Sequence, residues 1–453
     1  PSILIAMTAT ALGFVAMFFT PVPMIADFGK VCAIGVASCY LAAFIIVPVF
    51  GILTNYRPKK DTDLSNPAPE SEQSFIERYE HLIGKMAYTI AKHPLPVLLI
   101  FGMVAVGGYY LDERVPISAD EKTFVPDDMP ALENMGKITR TMGATSTIPV
   151  VVTGDNVLFP EILAWIDRFG TYELEHNDKM TGVTSIATLI RDYNGGVLPA
   201  TKGEVDEVVA RLPEATQKRY LNGNIEAVLE FSTVSMEMDT QKSFIEGIRS
   251  DIAWSELPAG VTVQITGTGE MFTAIMDEIS ESKMFMTLLG FAFILAFLLL
   301  VYRRVGAASP LIPIAFVVGW CGAIMYLLGL DYTPLTAVLG SMSIGVASEY
   351  TIVIMERCEE ELAKGVGYLE AIQTAVQKIG MAITVSGVAT ISGFAALTVS
   401  TFNIISNFGV VTVITIGFSL VGAIIALPAV LSIMYRHAGS PRAQVQAGAG
   451  VAD

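Results

Sequence analysis

In this 453-residue chain, Glu349 is the side chain whose type and setting could do chemistry. It lies in the apolar run Leu339-Gly-Ser-Met-Ser-Ile-Gly345-Val-Ala-Ser-Glu349-Tyr350-Thr-Ile-Val-Ile-Met355, seven residues before Glu356. Seven residues of helix rise roughly 10 Å, more than a short carboxyl can reach. A charged acid at membrane depth costs at least ~2.5–3.5 kcal/mol, so such residues line ion paths or pair with a partner. Protonation removes that charge and its penalty, and the chemistry this suggests is proton uptake and release. Tyr350 could hydrogen-bond to the carboxylate, while Ser343, Ser348, Ser386 and Thr390 offer hydroxyls able to carry a proton or hold water. We take Glu349, Tyr350, Ser348, Ser386 and Thr390 as the candidate proton-coupling set. Small and hydroxyl residues are also ordinary packing devices in membrane helices.

Other chemistries find no support. His81, His93, His176 and His437 are scattered, and neither HExxH, GxSxG nor a phosphate-binding GxxxxGK run occurs. Cys32, Cys39, Cys321 and Cys358 fall in or at the ends of apolar stretches and form no CxxC, which excludes a disulfide framework and a metal site of that kind. No enzymatic activity and no cofactor are expected, and an ion gradient is left as the energy source. A proton suits a lone carboxyl, whereas sodium would need several converging oxygens.

The elements that must position Glu349 are membrane spans. Hydrophobic residues make up 52% of the chain and charged residues 16%, with a mean hydropathy of +0.56. Eight runs have the length a bilayer requires, about 17–25 residues. They are Ile3 to Phe19, Phe28 to Leu53, Leu95 to Leu111, Met284 to Tyr302, Leu311 to Leu330, Thr333 to Met355, Met381 to Val399 and Ile404 to Met434. The chain opens with Pro1 directly ahead of the first, so it is read as a fragment or processed product.

Charge separates one segment from the rest. Between Asp112 and Ser282 there are 29 Asp and Glu against 13 Lys and Arg, which accounts for the whole net charge of −16. Arg57, Lys59, Lys60, Arg303, Arg304, Arg357, Lys364, Lys378, Arg436 and Arg442 cluster at the other ends of the spans, as cytoplasmic loops do. The expectation is a multi-pass protein of the cell membrane with its large acidic segment outside and its C-terminal tail, 437–453, inside. An acidic domain also argues against nucleic acid as a partner.

That segment, 112–282, reads as α/β. Thr147 to Thr153, Gly182 to Ala187, Glu226 to Ser235 and Val261 to Thr266 are strand-like, while Pro160 to His176 and Asp239 to Trp254 are helical. With a helical insertion from Thr201 to Tyr220 set aside, the order is βαββαβ, a ferredoxin-like split unit. Two further stretches have amphipathic helical spacing, Phe75 to Ile90 and 358–379, and are expected to lie along the inner membrane surface. Thr62 to Ser74 reads as a flexible linker.

A repeat organises the chain. Shifted by 380 positions, the first fifty residues align without a gap to the last two spans: Ala9 with Ala389, Thr10 with Thr390, Gly13 with Gly393, Phe14 with Phe394, Phe28 with Phe408, Gly29 with Gly409 and Pro48 with Pro428. The expected order is two closing spans (1–55), a cytoplasmic connector (56–93), a span (94–111), the outside domain and five spans (283–436).

This arrangement resembles the resistance-nodulation-division (RND) superfamily, in the branch holding the mycobacterial large membrane proteins, hopanoid exporters and Patched. Gly345-Val-Ala-Ser-Glu349-Tyr350 followed by Arg357 is similar to the Gly-xxx-Asp/Glu signature of the fourth span of a repeat. Glu370 to Gly380, leading into Ser386-Gly387, Thr390 and Gly393-Phe394, resembles the amphipathic helix and fifth span. The resemblance implies helix packing at Gly345, Gly387 and Gly393, and a missing N-terminal repeat as partner. It implies proton-driven export of a hydrophobic or lipid-like molecule. Glu349 stands where many exporters carry Asp, which keeps a sterol-sensing or receptor-like protein as the alternative. A protein-translocation accessory pump is a third reading.

Overall fold

Long apolar runs become helices because a helix satisfies every backbone group within its own segment. In chain order the structure holds α1 (Ser2–Val15), α2 (Pro23–Leu53), α3 (Phe75–Lys92), α4 (Pro94–Asp112), β1 (Ser146–Thr153), α5 (Pro160–His176), β2 (Met180–Ser185), α6 (Ile186–Tyr193), α7 (Lys202–Arg211), α8 (Glu214–Tyr220), β3 (Leu221–Asn222), β4 (Glu226–Thr233), α9 (Met238–Trp254) and β5 (Thr262–Ile265). The helices α10 (Thr268–Tyr302), α11 (Leu311–Leu328), α12 (Leu339–Ala363), α13 (Tyr368–Ala395), α14 (Asn403–Val421) and α15 (Leu427–Ala438) follow. This computed structural model describes residues 2–54, 75–117, 146–234 and 238–438, with 129–131, 134, 137–138, 141 and 236 between them. The expected linker 62–74, the basic residues at 57–60 and most of the expected tail lie outside the described residues. The chain divides into two units, one of residues 1–118 with 278–453 and one of residues 119–277.

Among the described residues six helical stretches are long and apolar enough to cross a membrane: Pro23–Leu53, Pro94–Asp112, Thr268–Tyr302, Gly306–Leu328, Tyr368–Val399 and Asn403–Arg436, with Ile3–Phe19 shorter. The helix bearing Glu349 is not among them, because α12 carries serines and glycines in its first half and Glu356, Glu359, Glu360 and Glu361 in its second. It also starts later than the run from Thr333 suggests. Pro334 disfavours a helical residue before it, and Thr333 and Thr336 exchange backbone-to-hydroxyl hydrogen bonds that hold a turn instead.

The amphipathic stretch 358–379 is not a separate surface helix. Residues 358–363 close α12, Gly365 turns the chain with φ +86°, and 368–379 are the first turns of α13, which runs on into the span because nothing between Gly380 and Met381 breaks it. Its apolar face meets α3 rather than a free surface. The Tyr79 hydroxyl lies 3.0 Å from Thr384 Oγ1, Gly380 lies under Ile83 and Gly84 under Gln377. At its far end α3 accepts, through Ala91 O, a hydrogen bond from Ser432 of α15.

The offset of 380 positions recurs in the element boundaries. A 3-10 turn, Ala16–Phe19, closes α1, and another, Ala396–Val399, closes α13 at the same offset, while α2 and α14 begin at offset-matched positions. The glycine contacts also match: a Cβ at Gly29 would meet Met17 Cβ and Phe14 O, and one at Gly409 would meet Leu397 Cβ and Phe394 O. Phe28 and Phe408 face each other at 6.1 Å with ring planes 87° apart. One element breaks the match, a π turn at Gly422–Ala426 between α14 and α15; α2 runs through the corresponding positions as a regular helix.

In the second unit the strands run in the order β2-β4-β1-β5, antiparallel throughout, with β3 added to the start of β4. This is the strand order of a split βαββαβ unit, with α5 and α9 as its helices. Alternation fills its core: Ile148, Val150 and Val152 of β1 and Ala227, Leu229 and Phe231 of β4 are buried with Ile162, Leu163, Ile166 and Phe169 of α5 and Ile245, Ile248 and Ile252 of α9. The insertion forms α7 and α8. The second strand stops at Ser185 rather than Ala187, because Ser185 and Thr188 form a reciprocal cap that starts α6.

Candidate functional site

Near its middle, α12 presents Glu349 to a cavity of about 800 Å³. Its walls come from α1 (Ile3, Leu4), α2 (Tyr40, Phe44, Pro48), α12 (Glu349, Tyr350, Arg357) and α13 (Ile383, Ser386). Glu349 is partly buried, and among the described residues none donates a hydrogen bond or an ion pair to its carboxyl. The Tyr350 hydroxyl sits beside those of Ser386 and Thr390, and Thr390 itself donates to Ser386 O at 2.9 Å. Four members of the candidate set, Glu349, Tyr350, Ser386 and Thr390, are therefore brought together. Ser348 is not. It faces the buried side of α12 and donates to Gly345 O at 2.7 Å. Ser343 is likewise turned inward, donating to Leu339 O, near Cys321, whose sulfur lies 3.2 Å from Thr415 Oγ1.

The crossing of α1 and α12 fixes the position of Glu349. A Cβ on Gly13 would stand 2.8 Å from Gly345 Cα, and the helices are tied by Thr10 Oγ1 donating to Gly345 O at 3.0 Å and Ser341 Oγ donating to Gly13 O at 2.7 Å. Of the two other glycines, Gly387 lies against Leu420 of α14, whereas the space around Gly393 is open. Gly13→Val is expected to lower the thermal stability of the detergent-solubilised chain by about 1–3 kcal/mol, and Gly393→Val to leave it within error. Equal melting shifts for the two would show that the crossing is not close-packed.

Two polar clusters join residues from different helices, and of their members only the basic residues of the second stand out in the sequence. At one end of the bundle Lys283 Nζ lies 2.6 Å from Asp112 Oδ2, the Tyr332 hydroxyl donates to Asp112 Oδ1, and the ammonium sits 3.7 Å from the centroid of the Tyr332 ring. At the other end Tyr302 donates to Glu356, Arg304 pairs with Glu359 at 2.9 Å, and Arg357 pairs with Glu360 and Glu361. A search for repeated spacing cannot find such clusters. For the first cluster the sequence offered one weaker signal, the lone Lys283 at the edge of an apolar run.

Residues 224–448 match the MMPL family. The chain is 29% identical to a putative membrane protein of Methanocaldococcus jannaschii over 79% of its own length and 95% of that protein. It is 26% identical to the probable transport protein MmpL9 of Mycobacterium tuberculosis over 60% of this chain and 27% of that one. It is 24% identical to the probable trehalose monomycolate exporter MmpL3 of Mycobacterium leprae over 39% and 19%. The chain thus spans nearly all of the archaeal relative but under a third of either mycobacterial one. These matches support placing the chain with the MMPL branch of the RND superfamily.

Proposed function

We propose that this chain works in a proton-gradient-driven exporter of a hydrophobic or amphiphilic, lipid-like molecule. The observation that carries the reading is Glu349, an acid in an apolar bundle that lines the same cavity as Tyr350 and Ser386 and has no hydrogen-bond or ion-pair partner among the described residues. Protonation would let the spans shift, and the α/β unit would open or close in response. The mycobacterial relatives named as transport and exporter proteins support the class of activity. The proposal includes a second repeat supplying a helix opposite Glu349, consistent with a cavity open between α1 and α2 on one side and α12 and α13 on the other. Movement of a labelled lipid in proteoliposomes holding both repeats, driven by an imposed pH gradient, tests it. Lipid binding without gradient-dependent movement would favour the receptor-like alternative, and a secretion defect without lipid movement the translocation accessory.

The same proposal puts residues 119–277 outside the cell membrane and the ends of α10, α12 and α15 inside. Arg304, Arg357 and Lys364, gathered with their acids at one end of the bundle, support this orientation. Protease added to intact right-side-out cells is expected to cut within residues 119–277 and to spare residues 62–74. The reverse cleavage pattern would overturn the topology.

A further inference from the structure

The core of the α/β unit holds a carboxyl that the proposed transport cycle does not use. Glu173, near the end of α5, is fully buried. Asn177 Nδ2 donates to its Oε2 at 2.6 Å, while its Oε1 has no hydrogen-bond partner among the described residues. Asp251 of α9 brings a second carboxyl into hydrogen-bonding range. Two carboxylates repel, and two carboxyl groups attract only when a proton lies between them.

We propose that Glu173 and Asp251 form a carboxyl–carboxylate clasp that holds α5 to α9 while they share one proton and loosens when that proton leaves. Burial first and the charge of Asp251 second push Glu173 up to about 7, against an ordinary 4.5. The Asn177 amide alone works the other way, and it is outweighed. Of the elements packed on α5, β2 has no charged residue. On β4, Glu230 is engaged by Arg219 and Tyr220, and Glu226 receives a hydrogen bond from Asn222. On α6, Arg191 pairs with Asp167 and is followed by Asp192. On α9, Lys242 pairs with Asp277 and Arg249 with Glu270, leaving Glu246 and Asp251 as the acids among its described side chains. On α5 itself, His176 Nδ1 lies 2.8 Å from Tyr172 O.

A value raised above that of the unfolded chain means the contribution is whole below about pH 4.5 and fades as the pH rises through about 7. Hydrogen exchange of the full chain in detergent, followed by mass spectrometry and corrected for intrinsic rates, reads this directly. Peptides from α5 and α9 are expected to open at least about tenfold more often at about pH 8.5 than at about pH 5, with α11 as the unaffected reference. Glu173→Gln keeps the shape of the protonated acid and should hold the low-pH protection at both values. Asp251→Asn should also flatten the dependence, since an amide can donate to the Glu173 carboxylate. Should Glu173→Gln fail to fold, infrared difference spectra of the wild type carry the test: a buried carboxyl band should vanish on titration through neutral pH. Equal protection at both pH values, retained pH dependence in Glu173→Gln, or no such band would each overturn the clasp.

Discussion

Glu349→Gln is expected to reduce pH-gradient-driven lipid movement in proteoliposomes to the protein-free rate. Glutamine keeps the size and hydrogen-bonding capacity of the acid but can neither take up nor release a proton, so folding and lipid binding should survive while coupling is lost. Glu349→Asp should retain partial transport, because the titrating group remains but withdraws by about one methylene from the hydroxyls of Tyr350 and Ser386. Tyr350→Phe removes a hydroxyl next to those of Ser386 and Thr390 and no charge-carrying step, so its loss should be smaller than that of Glu349→Gln. Wild-type rates in Glu349→Gln would make the acid structural and move the receptor-like alternative to the front.

Lys283→Met should destabilise the bundle by about 3 kcal/mol, because it leaves Asp112 charged and largely enclosed without its counter-ion. The two side chains are 19% and 21% exposed, and the Tyr332 hydroxyl alone cannot neutralise the carboxylate. The double change Asp112→Asn with Lys283→Met removes both charges and should recover most of the loss, as measured by thermal unfolding in detergent. If the double variant is no more stable than the single one, the pair is not what joins α4 to α10.

Glu349 and its neighbours were legible in the sequence because one acid in a long apolar run has few explanations, and because helical spacing places Tyr350 next to it. Ser348 was equally close in sequence yet points elsewhere. Spacing gives an angle around the helix but does not say which side the next helix covers, and here α1 occupies the Gly345 side. The βαββαβ order was legible from alternating patterns, whose period differs between strand and helix. The end of β2 was missed by two residues because the Ser185 cap competes with strand propensity through a local hydrogen bond. The continuity of 368–379 with the following span was missed for a different reason. An amphipathic face looks the same whether it meets lipid or, as here, the matching face of α3.

Phe28 of α2 and Phe408 of α14 stand 380 positions apart, and their rings meet edge to face. In a twofold pair of identical segments, a residue that meets its own counterpart lies on the rotation axis. An edge-to-face pair cannot honour that symmetry, since one ring offers its rim and the other its face. Phe408, 7% exposed, is the buried member of this pair, and Phe28 is partly open. One residue type at two offset-matched positions thus serves two different settings, a buried face and a half-open rim.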